Sequence, residues 1–329
     1  MKHILLLVAF VLAACGTPSA TPSADLTATQ LPDVPAPTAQ VDLATVTPVP
    51  VTEISLTDSA GRTVVVKQPV SRIVSLAPST TEIVAALDGL DRLISIDMYS
   101  DYPTEVTKLP KITNPDMSVD YEQITASAPD VVFAAGITAP DVIAAIEKLG
   151  IPVVVVGAPN ATFASVLADI RLVGTAIQRD SDAAQLTDSM QTEWQALADK
   201  VAKTSERPTV FWELDATDPA KPYTVGPDSF VAELLQVAGG TNIFADVTDA
   251  YPQVSLEQIV AKAPDTIILA DSLWGVTPES VAMRAGWESI PAVQNQRVFP
   301  IDDNIVSRPG PRIVQGLQAA VAILHPELK

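Results

Sequence analysis

Few residues in this 329-residue chain can do covalent chemistry, because it holds two histidines and one cysteine. His3 lies in the first ten residues and His325 close to the end, so the interior has no imidazole, and Cys15 is the sole thiol. Zinc sites built on Cys or His, Ser-His-Asp triads, thiol catalysis and disulfide frameworks are thereby excluded. What remains is carboxylate or lysine chemistry, or binding without catalysis. The carboxylates that stand out are Glu122 and Glu257, because they recur inside a repeated segment. Residues 120–134 (DYEQITASAPDVVFA) align without gaps on 255–269 (SLEQIVAKAPDTIIL), with seven identities in 15 positions. Each copy reads as a short helix with Glu in its first turn, stopped before Ala-Pro, then an Asp and a buried strand. A glycosidase-like acid pair would need both carboxylates facing across one short gap. Equivalent positions on two halves are the wrong arrangement for that, and no enzyme is expected.

The repeat requires two similar halves to carry it. Short apolar runs at 73–76, 93–96, 131–134 and 153–156 alternate with helix-like stretches, the order of parallel strands with crossover helices. Between 163 and 203 Gly174 is the one glycine and proline is missing, while Leu167, Ile170, Val173 and Ile177 recur at helical spacing, which predicts one or two long helices. Runs at 210–214, 267–270 and 298–301 then resume the alternation, with helix starts near Asp228, Ser255, Pro278 and Pro311. A hairpin over 54–66 precedes the first lobe, turning at Asp58-Ser59-Ala60-Gly61-Arg62. Ser79-Thr80-Thr81-Glu82 has capping-box spacing. The predicted fold is α/β, with two Rossmann-like lobes (51–162 and 207–329) of mainly parallel sheet, joined by a long helical segment (163–206), and a ligand cleft between the lobes.

The first 50 residues read differently. Ile4–Ala14 is an apolar run about half the length of a membrane-spanning helix, and it reads as a signal peptide over 1–14. Leu12-Ala13-Ala14-Cys15-Gly16 resembles the lipobox of bacterial lipoproteins, which implies diacylglycerol on Cys15 and an extracytoplasmic protein held on the membrane through its lipid. Gly16–Pro50 holds seven Pro, seven Thr and six Ala and no aromatic residue, a composition expected to form a disordered tether. The formal charge is −19, of which the first 50 residues carry −2. An acidic remainder without a Lys/Arg cluster argues against nucleic acid and for small ligands or cationic partners.

Taken together, Ile73–Ile83 (IVSLAPSTTEI), Tyr99–Pro103 (YSDYP), the two Glu-Gln-Ile segments, Gly239–Phe244 (GGTNIF) and Tyr251–Glu257 (YPQVSLE) resemble the substrate-binding proteins of ABC importers. Within these they resemble the cobalamin and ferric-siderophore class, whose lobes are joined by a rigid helix. The resemblance spans about residues 53–328, and the 99–103 and 251–255 segments lean toward the cobalamin binders. It implies a cargo that is a corrinoid, a ferric siderophore or haem, with no resident cofactor and no metal ligands. It also implies a permease dimer with its ATPase subunits as partner, and a monomeric binding protein. Carried over onto this chain, Glu122 and Glu257 dock the two lobes onto the two permease subunits. A two-fold partner suits one charge per lobe, and complementary charges give orientation and on-rate. A large flat cargo calls for aromatic faces with a few polar anchors; the candidates are Tyr99, Trp212, Tyr223, Tyr251 and Trp274, with Arg308 as an anchor for a phosphate or amide. Trp212 follows Val210 and Phe211 in a strand and reads equally as core. Asp302 and Asp303 read either as acceptors for ligand amides or as a local turn.

Overall fold

The computed structural model describes residues 52–158 and 160–328. The signal peptide over 1–14, Cys15 and the tether over 15–50 lie outside the described residues. An antiparallel hairpin, β1 (Thr52–Thr57) and β2 (Thr63–Gln68), leads into the first lobe. That lobe's sheet is β3 (Ile73–Ser75), β4 (Leu93–Ile96), β5 (Val131–Ala135) and β6 (Val153–Val156), all parallel in the order β4-β3-β5-β6. Every residue of β3, β5 and β6 is buried, as expected for strands covered on both faces. The covering helices are α1 (Pro78–Ala86), α2 (Tyr121–Ser127) and α3 (Pro140–Lys148).

The connecting segment forms two helices, α4 (Phe163–Ala176) and α5 (Asp180–Val201). Thr162 and Ser165 cap α4 reciprocally, and the helices separate where Gln178 takes a positive φ of 58°. The second lobe holds β7 (Thr209–Asp215), β8 (Tyr223–Thr224), β9 (Thr241–Asn242), β10 (Thr266–Leu269) and β11 (Val298–Pro300). Its order is β11-β10-β7-β8, with β9 also on β7; only β8 runs antiparallel. Around it lie α6 (Phe230–Val237), α7 (Leu256–Lys262), α8 (Pro278–Ala282), α9 (Pro291–Gln294), α10 (Asp303–Val306) and α11 (Ile313–Leu324).

The repeat seen in the sequence is repeated in detail by the backbone. α2 is capped by Asp120, whose carboxylate accepts from the Gln123 N–H at 2.9 Å, and α7 by a reciprocal Ser255–Gln258 pair. Both helices end on an alanine in the left-handed region, Ala128 at φ 43° and Ala263 at φ 44°, where a following Pro forbids further helix. The repeated Asp then ties the start of the neighbouring strand. Asp130 accepts from the N–H groups of Ser71 and Arg72, and Asp265 from the N–H and hydroxyl of Thr209.

Two expectations change. Ser79 and Glu82 form no capping box: Pro78 starts α1 two residues earlier than such a box requires, with Ala77 at the N-cap and no side-chain cap. The last helix begins at Ile313, because Gly310–Arg312 makes a preceding turn.

One hydrophobic cluster runs through both lobes, from Ile83 of the first, through Val173 on α4 and Met190, Trp194 and Val201 on α5, to Leu234, Leu317 and Leu324 of the second. Phe163 and Trp194 stack within it at 4.0 Å between centroids. Swinging the lobes apart would expose this shared surface at ~25 cal/mol per Å² of apolar area, so the helical connection acts as a stiff spine. Among the described residues no helix is long and apolar enough to cross a membrane.

Candidate functional site

In parallel sheets the side chains free to meet a ligand sit on the loops that follow the strands, at their carboxyl ends. Here those ends face each other across the junction of the lobes. A cavity of about 280 Å³ is walled by Ala77–Ser79 after β3, Ala135–Ile137 after β5 and Val156–Ala158 after β6, and on the other side by Phe230, Tyr251 and Ser307–Pro309. The first-lobe wall is mostly small residues and backbone. Gly136 makes this possible, because a Cβ there would stand 2.4 Å from the Gly157 carbonyl oxygen. Opposite, the loop bearing Tyr251 is laced to β8 and the residues after it by Thr224 N–H to Pro252 O (3.0 Å) and Gly226 N–H to Ala250 O (2.8 Å). A side chain at Gly226 would collide with the Asp249 carbonyl. Tyr251 is thus set at the cleft by its backbone, and burial pushes its phenol pKa up.

Arg308 lines the same cavity, but its guanidinium is already engaged. It donates to Asp101 at 2.6 Å, to Glu82 at 3.2 Å and to the Tyr99 carbonyl at 3.4 Å. Arg312 holds Glu82 from the other side with two bonds, 2.8 and 2.6 Å, and lies 4.1 Å above the Tyr102 ring. Burial works against the Arg312 charge, yet the bonds to Glu82 outweigh it and raise its pKa. Glu82, Tyr99, Asp101 and Tyr102 belong to the first lobe, and Arg308 and Arg312 to the second. The group is an ion-paired clamp across the lobe junction, with Glu82 buried at its centre.

A second cavity, about 410 Å³, opens at the carboxyl ends of β7 and β10 and is lined by Asp215, Ala216, Thr217, Asp271 and Trp274 among others. Beneath it Glu213 is fully buried and bound by Arg284 through two bonds of 2.6 and 2.8 Å. Burial moves Glu213 up to about 7 against the pull of Arg284, with neighbouring Asp271 adding to the rise. Asp271, also raised by burial, accepts the Ala216 N–H at 3.2 Å on Oδ2, while its buried Oδ1 has no protein donor. Asp215 is held below the usual carboxylate range by hydrogen bonds from Thr217.

The residues singled out from the sequence fall into distinct places. Tyr251 and Arg308 share the first cavity. Tyr99 is half exposed beside the same guanidinium, and Tyr223 bridges Gln253, two residues from Tyr251. Trp274 is 82% exposed on the rim of the second cavity. Trp212 is fully buried in the shared core. Alternation along β7 turns it inward, so of the two readings open for it the structure bears out core. Asp302 caps α10 through the Asn304 N–H, and Asp303 accepts from the Ser307 hydroxyl, which is the local-turn alternative. Glu122 and Glu257 are exposed on the first turns of α2 and α7. The clamp residues Glu82, Asp101 and Arg312 and the buried Glu213 and Asp271 with their partner Arg284 were missed. Arg312 lies four residues from Arg308 in a segment that does carry a signal, whereas Glu82 was masked by its resemblance to a capping residue.

Two stiffly joined α/β lobes, facing each other with the carboxyl ends of their sheets and enclosing an aromatic cleft, define a two-lobed binding protein. The chain belongs to the periplasmic binding protein family, whose sequence profile matches residues 73–305. It is 33% identical over 328 residues to the ABC transporter substrate-binding lipoprotein YvrC of Bacillus subtilis, covering 98% of this chain and 96% of the relative. A vitamin B12-binding protein of Vibrio parahaemolyticus is 29% identical over 260 residues, 76% of this chain and 88% of the relative. The crystal structure of the periplasmic vitamin B12 binding protein BtuF of Vibrio cholerae superposes with a TM-score of 0.67 at 26% identity, covering 79% of this chain and 99% of that one.

Proposed function

We propose that the chain captures cobalamin or a related corrinoid between its lobes and delivers it to an ABC importer, held outside the cytoplasmic membrane by lipid on Cys15. The observation that carries this reading is the cleft itself, walled by both lobes and lined by Phe230 and Tyr251, with Tyr99 exposed beside Arg308 and Trp274 exposed on the second cavity. Wide apolar faces with a few polar anchors suit a large flat ring. Relatives named for B12 binding favour the corrinoid over a ferric siderophore or haem. The lipoprotein relative matches nearly the whole chain, the segment around Cys15 included, and this supports the anchor. Glu122 and Glu257, exposed on the first turns of the equivalent helices α2 and α7, offer one carboxylate per lobe to the two permease subunits. Arg308 serves first as the clamp and meets cargo with its remaining edge.

Calorimetric titration of the soluble domain from residue 52 with cyanocobalamin, cobinamide, haem and ferric siderophores tests the cargo. Saturable corrinoid binding below micromolar is expected; siderophore or haem binding without corrinoid binding would replace the cargo. Exchanging Glu122 and Glu257 for Arg is expected to abolish uptake while leaving cargo affinity unchanged, and lost affinity would place these residues in cargo recognition instead.

A further inference from the structure

We propose that the cleft selects cargo by charge, accepting neutral or cationic chelates and rejecting anionic ones. The proposal rests on the reading of the chain as a chelate carrier and narrows its substrate class. Among the described residues lining the two cavities, Arg308 is the one base, and Asp101 and Glu82 already neutralise it. The nearby guanidiniums are committed as well, Arg312 to Glu82 and Arg284 to Glu213. Lys221, on the turn between β7 and β8, lines neither cavity. An anionic cargo therefore finds no unpaired cation on these walls, and to reach Arg308 it must displace carboxylates that already bind it in good geometry.

The acids are disposed the other way. Asp215 stands exposed on the rim of the second cavity, kept ionised by Thr217. Asp271 lines the same cavity while 96% buried, and its Oδ1 lacks any protein N–H or O–H donor. An amide N–H or an ammonium from the cargo suits this oxygen. Trp274, exposed on the same rim, offers a ring face to a cation. Partly screened carboxylates at this range weaken binding of a like-charged ligand about fivefold for each added negative charge.

The test varies charge on constant scaffolds. One series is cyanocobalamin (neutral), aquacobalamin (singly positive) and the mono- and dicarboxylic acids made by hydrolysing peripheral amides of cyanocobalamin. The other is ferrioxamine B (cationic), its N-acetyl form (neutral) and its N-succinyl form (anionic), with haem as a separate dianion. Dissociation constants are measured by calorimetry at two salt concentrations on the wild-type domain and on Asp215→Lys, a surface change that leaves the core alone. Affinity is expected to fall about fivefold per added negative charge, less steeply at high salt and in Asp215→Lys. Binding of the neutral members with equal or tighter binding of the anions would overturn charge selection while leaving the carrier reading intact. Capture of haem alone would do the same. Failure to bind any member of the panel would instead overturn the carrier reading, and charge selection with it.

Discussion

Replacing Glu82 with Ala removes the centre of the clamp. Its carboxylate is 2% exposed and takes two bonds from Arg312 and one from Arg308, which are themselves 12% and 15% exposed. Deleting one partner of a buried pair leaves its counter-charge stranded and typically costs about 3–5 kcal/mol, against about 0–1 for a surface pair. Asp101 still holds Arg308 at 2.6 Å, so the stranded charge is mainly that of Arg312, and a loss near the lower figure, about 3 kcal/mol, is expected. At ~2–4 °C per kcal/mol for a domain of this size, the melting temperature should fall by about 6–12 °C. Urea and thermal unfolding followed by tryptophan fluorescence measure this. The shared core requires a single transition for both lobes. A double-mutant cycle with Arg312→Ala isolates the pair, with a coupling of about 2 kcal/mol expected. A loss under about 0.5 kcal/mol, or additive effects in the cycle, would refute the clamp and make the contact an ordinary surface pair.

Three other outcomes follow from the same structure. Glu213 is raised from 4.5 to about 7 in the folded chain; its contribution to stability is therefore full below pH 4.5 and is lost as pH rises through 7. Glu213→Gln should flatten the wild-type decline between pH 5 and 8, a change with a ceiling of about 3 kcal/mol in urea-derived stabilities. Trp212→Phe should lower stability by about 1–3 kcal/mol without altering cargo affinity, since the indole packs in the core; unfolding curves and titration of the same sample separate the two. Gly136→Ala places a methyl carbon against the Gly157 carbonyl and should cost about 1–3 kcal/mol, measured by thermal unfolding.

Much of the architecture was legible in the sequence because parallel strands buried on both faces stand out as apolar runs. Seven such runs fall on β3–β7, β10 and β11, with ends that match or differ by one residue. The duplicated Glu-Gln-Ile…Ala-Pro-Asp segment marked equivalent places in the two lobes, since capping, the stop before Pro and the strand-tying Asp are all local devices. The clamp was not legible. Glu82 and Arg312 are 230 positions apart, and nothing local distinguishes a glutamate that caps a helix from one that reaches across to another lobe. Trp212 was ambiguous for a related reason, because alternation places a strand residue on a face but does not say whether that face meets cargo or core. The Glu213–Asp271–Arg284 group likewise depends on three elements meeting.

The central claim is that cargo sits between the lobes against Tyr251 and Trp274. Hydroxyl-radical footprinting, read by mass spectrometry, tests it directly on the chain with and without a saturating amount of the cargo found by titration. Trp274 and Tyr251 are exposed in the structure and should be oxidised in the free protein, then protected on binding, while buried Trp212 and Trp287 stay unmodified in both states. Saturable binding that leaves Trp274 and Tyr251 as reactive as before would contradict the account and place the cargo outside this cleft.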